Sequence, residues 1–295
     1  MTITDADDRT ANTTATVEKD TSGKDDIDAA AEVTLRHKPR SCYICKTRYR
    51  TLHHFYDQLC PTCAVTNWRK RQQTADMSGM YVLLTGGRVK IGFHCGLKLL
   101  RCGAHVIVTT RFPKDATKRY LNQKDSSEWR DRLRIVGLDL RDISRLESFC
   151  EMLNRTLPRL DAIVNNACQT IRRPPSYYAH MMPLENTNVL SLPPAHRNVL
   201  AVDTELTASR IARRLAIEET ARGSSTPATV LEAMSSAAQT QIVMMDEDRD
   251  AATFCPEGKL DVNGQQLDLR RVNSWKLKLN EVKTPEVAEV FAINT

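Results

Sequence analysis

Two groups of residues have the types and spacings that chemistry requires. Cys42-Tyr43-Ile44-Cys45 and Cys60-Pro61-Thr62-Cys63 form two C-x-x-C knuckles about fifteen residues apart. Two intervening residues let both thiolates turn onto one metal. Two such knuckles supply the four tetrahedral sulfur ligands that structural Zn²⁺ prefers. A redox pair would instead be a single C-x-x-C beside a βαβ unit. His53 and His54 lie in neither knuckle and read as solvated loop histidines. The second group is Thr85-Gly86-Gly87-Arg88-Val89-Lys90-Ile91-Gly92. Glycines there let the backbone approach a pyrophosphate, which then sits on the N-terminus of the following helix.

The elements around this turn read as alternating strands and helices. Tyr81–Thr85 is a short apolar run ending in glycines, hence a buried strand. A helix pattern with Ile91, Leu97, Leu99 and Leu100 follows, stopped by Gly103. His105–Thr109 is the second strand, so a β-α-β unit is complete within about thirty residues. Leu133–Leu138 is a third strand ending in Asp139-Leu140. Ser144 and Glu147 form a capping box, and Leu146, Phe149, Cys150 and Leu153 give one apolar helical face. Leu160–Val164 is the fourth strand and ends in Asn165-Asn166-Ala167-Cys168. Arg111 directly follows the second strand. An acidic residue near there holds a ribose 2′-OH, whereas an arginine accommodates a 2′-phosphate. Arg88 could reach the same phosphate, so NADP(H) is favoured over NAD(H). The alternative is that Arg111 is a solvated loop cation.

The ordered set Thr85 to Gly92, Arg111, Asp139-Leu140 and Asn165-Asn166-Ala167 resembles the nucleotide-binding half of a short-chain dehydrogenase/reductase. The resemblance covers about residues 77–180 and 273–295. It departs at Lys90, where the family has the middle glycine of Thr-Gly-x-x-x-Gly-x-Gly, and at Cys168, where Asn-Asn-Ala-Gly ends in glycine. Lys90 could reach a phosphate or mark a degraded turn. The resemblance implies an α/β fold, a Rossmann-type doubly wound parallel sheet. It also implies hydride transfer between NADP(H) and a carbonyl or alcohol substrate. The cofactor-binding residues would be Thr85, Gly86, Gly87, Arg88, Lys90, Ile91, Gly92, Arg111, Asp139, Leu140, Asn165, Asn166 and Ala167. Asp139-Leu140 would lie along the adenine and the asparagine motif beside the nicotinamide. Thr284-Pro285-Glu286 reads as N-cap, N1 proline and first-turn acid, with Val287, Val290 and Phe291 facing inward. This resembles the family's central helix, so Asn294 takes the proton-relay role by resemblance. The family's serine and Tyr-x-x-x-Lys pair would lie beyond Thr295. Tyr120-Leu121-Asn122-Gln123-Lys124 matches that pair by coincidence, on the adenosine side of the sheet. The expectation is therefore a sheet truncated after the central helix, with strand 160–164 an open edge and no turnover by the chain as given. Two alternatives stand beside the enzyme reading. One is a non-catalytic nucleotide-binding scaffold or sensor whose zinc module binds a protein or nucleic-acid partner. The other is an incomplete gene product.

The remaining sequence fills in the organisation. The 295 residues carry a net charge of +6, too mild to define a partner. Residues 1–35, eight of whose first thirty are acidic and none of which is aromatic, read as a disordered tail. Residues 36–75 form the Cys₄ module, a zinc ribbon or treble clef, with Arg36, Lys38, Arg40, Lys46, Arg48 and Arg50 beside Tyr43 and Tyr49. That basic surface suits an acidic protein, with nucleic acid less favoured. Residues 76–180 form the nucleotide-binding half. Residues 181–272 form an insertion that serves as a substrate lid, a partner surface or a tolerated loop. In it Glu205–Ala221 reads as a helix, Gly223–Thr229 as a flexible stretch, and 260–269 as a hairpin about Asn263-Gly264. Residues 273–295 begin the central helix. No signal peptide or membrane span is evident, and nine cysteines, four at metal spacing, fit a reducing, cytoplasmic location.

Overall fold

In the computed structural model residues 13–14, 34–220, 234–249 and 251–295 are described. They divide into two units, Met1–Ala75 and Asp76–Thr295. Most of the acidic 1–35 segment and the whole 223–229 stretch lie outside the described residues. No helix among the described residues is long and apolar enough to cross a membrane.

The first unit is an antiparallel sheet, order β1 (Thr13–Thr14), β2 (Thr34–Ser41), β3 (Arg48–Thr51), followed by helix α1 (Pro61–Arg71). The first knuckle is the connection between β2 and β3, and Lys46 at φ +64° makes its turn. The second knuckle opens α1: Cys60 precedes Pro61, whose fixed φ and missing N–H suit a first helical position. The buried apolar set is Cys42, Tyr49, Leu59, Cys60 and Ala64. Two of these five are cysteines, a core too small to hold a fold by apolar burial alone. His53 is not the solvated residue expected. Its Nδ1 accepts from the backbone N–H of Phe55 at 3.1 Å and of Tyr56 at 3.3 Å, and it packs near Trp68. Burial lowers its pKa.

The second unit is a four-stranded parallel sheet of order β6-β5-β4-β7. In chain order it runs β4 (Tyr81–Thr85), α2 (Lys90–Arg101), β5 (His105–Thr110), α3 (Pro113–Leu121), α4 (Ser126–Trp129), β6 (Leu133–Gly137), α5 (Ile143–Thr156) and β7 (Ala162–Val164). Alternation along the strands sends side chains to both faces. Val82, Leu84, Val106 and Val108 join Leu97, Leu100, Tyr120 and Trp129 in one core. Ile107 and Val136 join Phe149, Met152 and Leu206 in the other. Both faces are covered, as an all-parallel sheet requires. This is a Rossmann-type α/β fold, as expected.

Several local expectations shift. The fourth strand is shorter than Leu160–Val164, and Ile163 on it is 56% exposed. Among the described residues β7 pairs only with β4, so it is an edge. The cap of α5 is Asp142, whose carboxylate accepts from Arg145 N–H at 2.9 Å, and not Ser144 with Glu147. Met152, rather than the exposed Cys150, completes that helix's buried face.

Beyond β7 the chain forms short helices α6 (Pro175–Tyr178), α7 (Met182–Glu185) and α8 (Pro194–Val199), then α9 (Ala201–Thr220) and α10 (Thr284–Asn294). The expected hairpin is reduced to one antiparallel bridge, Leu260 to Gln266, around Gly264 at φ +69°. This inserted segment is bound to the sheet by buried charge. Asp203 accepts from Gly137 N–H at 2.8 Å and pairs with Arg145 at 2.9 Å, which anchors α9 on β6. Glu185 accepts from the N–H groups of Lys114 and Asp115, capping α3, and burial pushes its carboxyl up to about 7. Arg172 makes bidentate contacts of 2.6 and 2.7 Å to Asp248 and lies 3.3 Å from Glu289.

The inward face of α10 is therefore acidic, not apolar. Glu286 and Glu289 are buried, whereas Phe291 is 62% exposed and Val287 and Val290 are half-buried. Glu286 accepts from Arg172 N–H at 3.0 Å, and Glu289 pairs with Arg141 at 3.1 Å. The residue flanking the helix is Lys283, with Thr284 its first turn. Apolar periodicity failed because two arginines under the helix select carboxylates.

The Arg172–Asp248 pair has side chains only 3% and 2% exposed. Removing one partner of such a pair leaves a buried charge uncompensated and costs about 3–5 kcal/mol. Asp248→Ala should lose about that much in urea unfolding. A loss below about 1 kcal/mol would show that the pair is solvated.

Candidate nucleotide-binding site

The glycine turn is shaped by what its glycines lack. Gly86 has φ +67°, and a Cβ there would stand 2.9 Å from the Cα of Ala167. A Cβ on Gly92 would meet the Gly86 carbonyl at 2.4 Å and the Asn166 amide at 2.5 Å. The turn, the start of α2 and the end of β7 are thus packed backbone to backbone. Asn166 fixes this junction, donating from Nδ2 to the Thr85 and Gly86 carbonyls, both at 3.0 Å. The Thr85 hydroxyl accepts from the N–H of Asn166 and of Ala167, each at 3.0 Å. Lys90 occupies φ +53°, in the left-handed region where a glycine is favoured. The turn keeps its glycine-like shape with a lysine in it.

Tyr120 supports the turn from below. Its hydroxyl, fully buried, donates to the Gly87 carbonyl at 2.9 Å. Burial pushes that hydroxyl well above the usual phenol range. Its part is structural, which agrees with reading Tyr120–Lys124 as coincidence.

Above the turn lies a cavity of about 390 Å³. Of the expected cofactor-binding residues, Gly86, Arg88, Lys90, Arg111, Asp139, Leu140, Asn166 and Ala167 line it. Thr85, Gly87 and Gly92 do not; they build the junction beneath. Ile91 is 80% exposed and Asn165 is exposed, and neither lines the cavity. Asp139 is fully buried and bonds Arg141 through both oxygens, at 2.9 and 2.6 Å. Burial alone would raise its pKa, but Arg141 outweighs that and holds the carboxyl below the usual range.

Four cations line the cavity, and three have a carboxylate partner. Arg88 pairs with Asp115 at 2.7 Å, Lys90 with Asp261 at 3.8 Å, and Arg173 with Asp268. Arg88 thus already has a carboxylate partner while it lines the cavity. Arg111 has no carboxylate contact among the described residues. Its Nη2 donates to the Tyr178 hydroxyl at 2.8 Å, and its guanidinium lies over the Tyr178 ring at 4.8 Å.

Asn294 is not at the cavity wall. Its Oδ1 accepts from Gln169 N–H at 2.9 Å and its Nδ2 donates to the Gln169 carbonyl at 2.6 Å. Both ends of the amide hold backbone. Wall residues missed in the sequence include Phe112, Arg173, Tyr177, Tyr178, Gln265 and Trp275. Tyr177-Tyr178 after Pro174-Pro175 was a visible signal, an aromatic pair directly behind a rigid turn. Gln265 and Trp275 carried none, because only tertiary folding returns them to the sheet.

In the first unit, the sulfurs of Cys42, Cys45, Cys60 and Cys63 lie within 4.8 Å of one another, and Cys45 and Cys60 are 3.6 Å apart. Tetrahedral Zn–S bonds of about 2.3 Å place sulfurs ~3.8 Å apart. The four thiols form no disulfide, and their spacing fits one metal ion.

Residues 80–192 match the family model for short chain dehydrogenases. That match supports short-chain dehydrogenase type for the α/β unit, and it spans the motifs from Thr85 to Ala167. A protein of Acanthamoeba polyphaga mimivirus, described as uncharacterized, is 34% identical over 139 residues, covering 45% of this chain and 29% of that protein. Among solved structures, RhlG of Pseudomonas aeruginosa in an NADP active-site complex is 24% identical over 43% of this chain and 48% of that one, with TM-score 0.27. Gluconate 5-dehydrogenase from Burkholderia cenocepacia, in complex with NADP and tartrate, is 19% identical over 47% and 51%, again with TM-score 0.27. The chain spans under a third of the mimivirus protein and about half of each of these two solved proteins.

Proposed function

We propose that the α/β unit binds NADP(H) as the nucleotide-binding part of a short-chain oxidoreductase acting on a carbonyl or alcohol. The observation that carries this is Arg111, the one cavity-lining cation with no carboxylate contact among the described residues. A half-buried guanidinium with no carboxylate in contact favours an anionic ligand, and Arg111 follows β5, where the 2′-substituent of a dinucleotide ribose is read. The close-packed glycine turn fits a pyrophosphate on the N-terminus of α2. When bound, the nucleotide supplies the hydride. The chain's own residues orient it: Arg111 at the 2′-phosphate, Gly86 at the pyrophosphate, Asp139 and Leu140 along the adenine. Asn294 positions the Gln169 backbone in this reading.

We also propose that the first unit holds one structural Zn²⁺ through Cys42, Cys45, Cys60 and Cys63. The support is the sulfur spacing together with a core too small to fold by itself, so metal binding would supply folding energy.

Arg111→Asp should weaken NADPH binding roughly 10- to 100-fold, the loss of a charge-assisted contact, while NADH changes by less than about threefold. Fluorescence titration reads both. Equal weakening of the two nucleotides would remove Arg111 as the reader of the 2′-phosphate.

Purified protein should contain one zinc per chain by elemental analysis, and Cys60→Ser should lower it and unfold the first unit. Unchanged zinc content in that variant would sink the four-cysteine assignment.

A further inference from the structure

We propose that Tyr178, at the end of α6 in the segment that follows β7, is a specificity-determining residue of the nucleotide site. Its hydroxyl donates to the same 2′-phosphate that Arg111 binds. The inference rests on the NADP(H) reading and adds a contact that the glycine turn and strand ends do not provide.

Tyr178 is 5% exposed, and its ring is held against Phe112 at 5.2 Å and Tyr177 at 5.0 Å. Its oxygen accepts from Arg111 Nη2 at 2.8 Å. A phenol that accepts in this way still has its own proton to place. No acceptor for that proton is found among the described residues, although buried donors are normally paired. Both Tyr178 and Arg111 line the cavity. A phenol whose O–H has no acceptor among the described residues and a guanidinium with no carboxylate in contact, bonded to each other, thus line one cavity.

A ligand that satisfies both must be anionic and offer more than one oxygen. A phosphate monoester does so; a ribose hydroxyl does not. The guanidinium also polarises the phenol, which strengthens the O–H as a donor. The rigid ring stack keeps this donor in place before the ligand arrives, so little ordering entropy is lost on binding.

A second feature of the same segment points to a ligand. Gln265 lines the cavity, and its Nε2 is buried with no partner, while its Oε1 accepts from the Tyr177 hydroxyl at 3.4 Å. Beside the Tyr178 hydroxyl, the cavity wall thus carries a second side chain, Gln265, whose buried amide nitrogen has no partner among the described residues. A wall that only closed off the sheet would have no use for such donors, since each unsatisfied buried donor is destabilising.

The test is titration of the full chain and of Tyr178→Phe with NADPH and NADH, with thermal unfolding as the control for folding. Tyr178→Phe keeps the ring stack and removes only the hydroxyl. It should weaken NADPH about tenfold and NADH by less than about twofold, lowering the NADPH-to-NADH preference with little change in melting temperature. An unchanged preference in the folded variant overturns the proposal. Binding of neither nucleotide by the unmutated chain overturns the NADP(H) reading and this inference with it. Should Tyr178→Phe fail to fold, ¹⁹F spectra of the fluorotyrosine-labelled unmutated chain decide the matter. The Tyr178 resonance should move with NADPH and stay in place with NADH. Equal movement with both would defeat the assignment.

Discussion

A buried guanidinium has to be paired, and the pairing of Arg172 governs the second unit beyond β7. Its guanidinium partners come from distant parts of the chain, Asp248 from the inserted segment and Glu289 from α10, while Glu286 of the same helix accepts from the Arg172 backbone N–H. Glu289 also holds Arg141, which in turn holds Asp139 at the end of β6. One line of alternating charge therefore runs from the last helix to the nucleotide cavity. Each member is stable only because its neighbours are present, since a single unpaired charge at that depth costs several kcal/mol. The inserted segment is fixed to the sheet by this constraint, which brings Tyr177, Tyr178 and Gln265 to the cavity wall.

The same requirement explains the charge of the site. Evolution of a paired interior leaves few cations free, and Arg88, Lys90 and Arg173 each have a carboxylate. Arg111 has a neutral phenol instead. The difference between these four arises in tertiary structure, because in sequence each is a cation near a turn or a strand end. On the proposed reading, this difference is what favours an added anion at Arg111.

The parallel sheet was legible because its determinants are local. Short apolar runs ending in glycine, Arg111, Asp139 or Asn165 placed all four strands, and Gly103 stopped α2 at φ +95° as a left-handed cap. The cysteine cluster was legible for the same reason: four identical donors at fixed spacing. What could not be read were elements whose faces are chosen by distant partners. Helix α10 looks apolar through Val287, Val290 and Phe291, yet buries Glu286 and Glu289 because Arg141 and Arg172 lie beneath it. Ser144 with Glu147 looks like a cap, but Asp142 takes that place, where Arg210 and Gln239 of the inserted segment also converge on its carboxylate. Arg88 looked available for phosphate until Asp115, one turn into α3, proved to be its partner. Lys90 carries the opposite lesson, since a lysine can hold the left-handed conformation when the surrounding backbone fixes it.

The central claim is that the cavity is set for a phosphate on the 2′-position of an adenosine, and it is tested most directly without any mutation. Calorimetric titration of the unmutated chain with 2′,5′-ADP and with 5′-ADP isolates that one substituent. The account predicts that 2′,5′-ADP binds at least about tenfold more tightly, with an advantage that shrinks as salt screens the Arg111 charge. Equal affinity for the two ligands would contradict it.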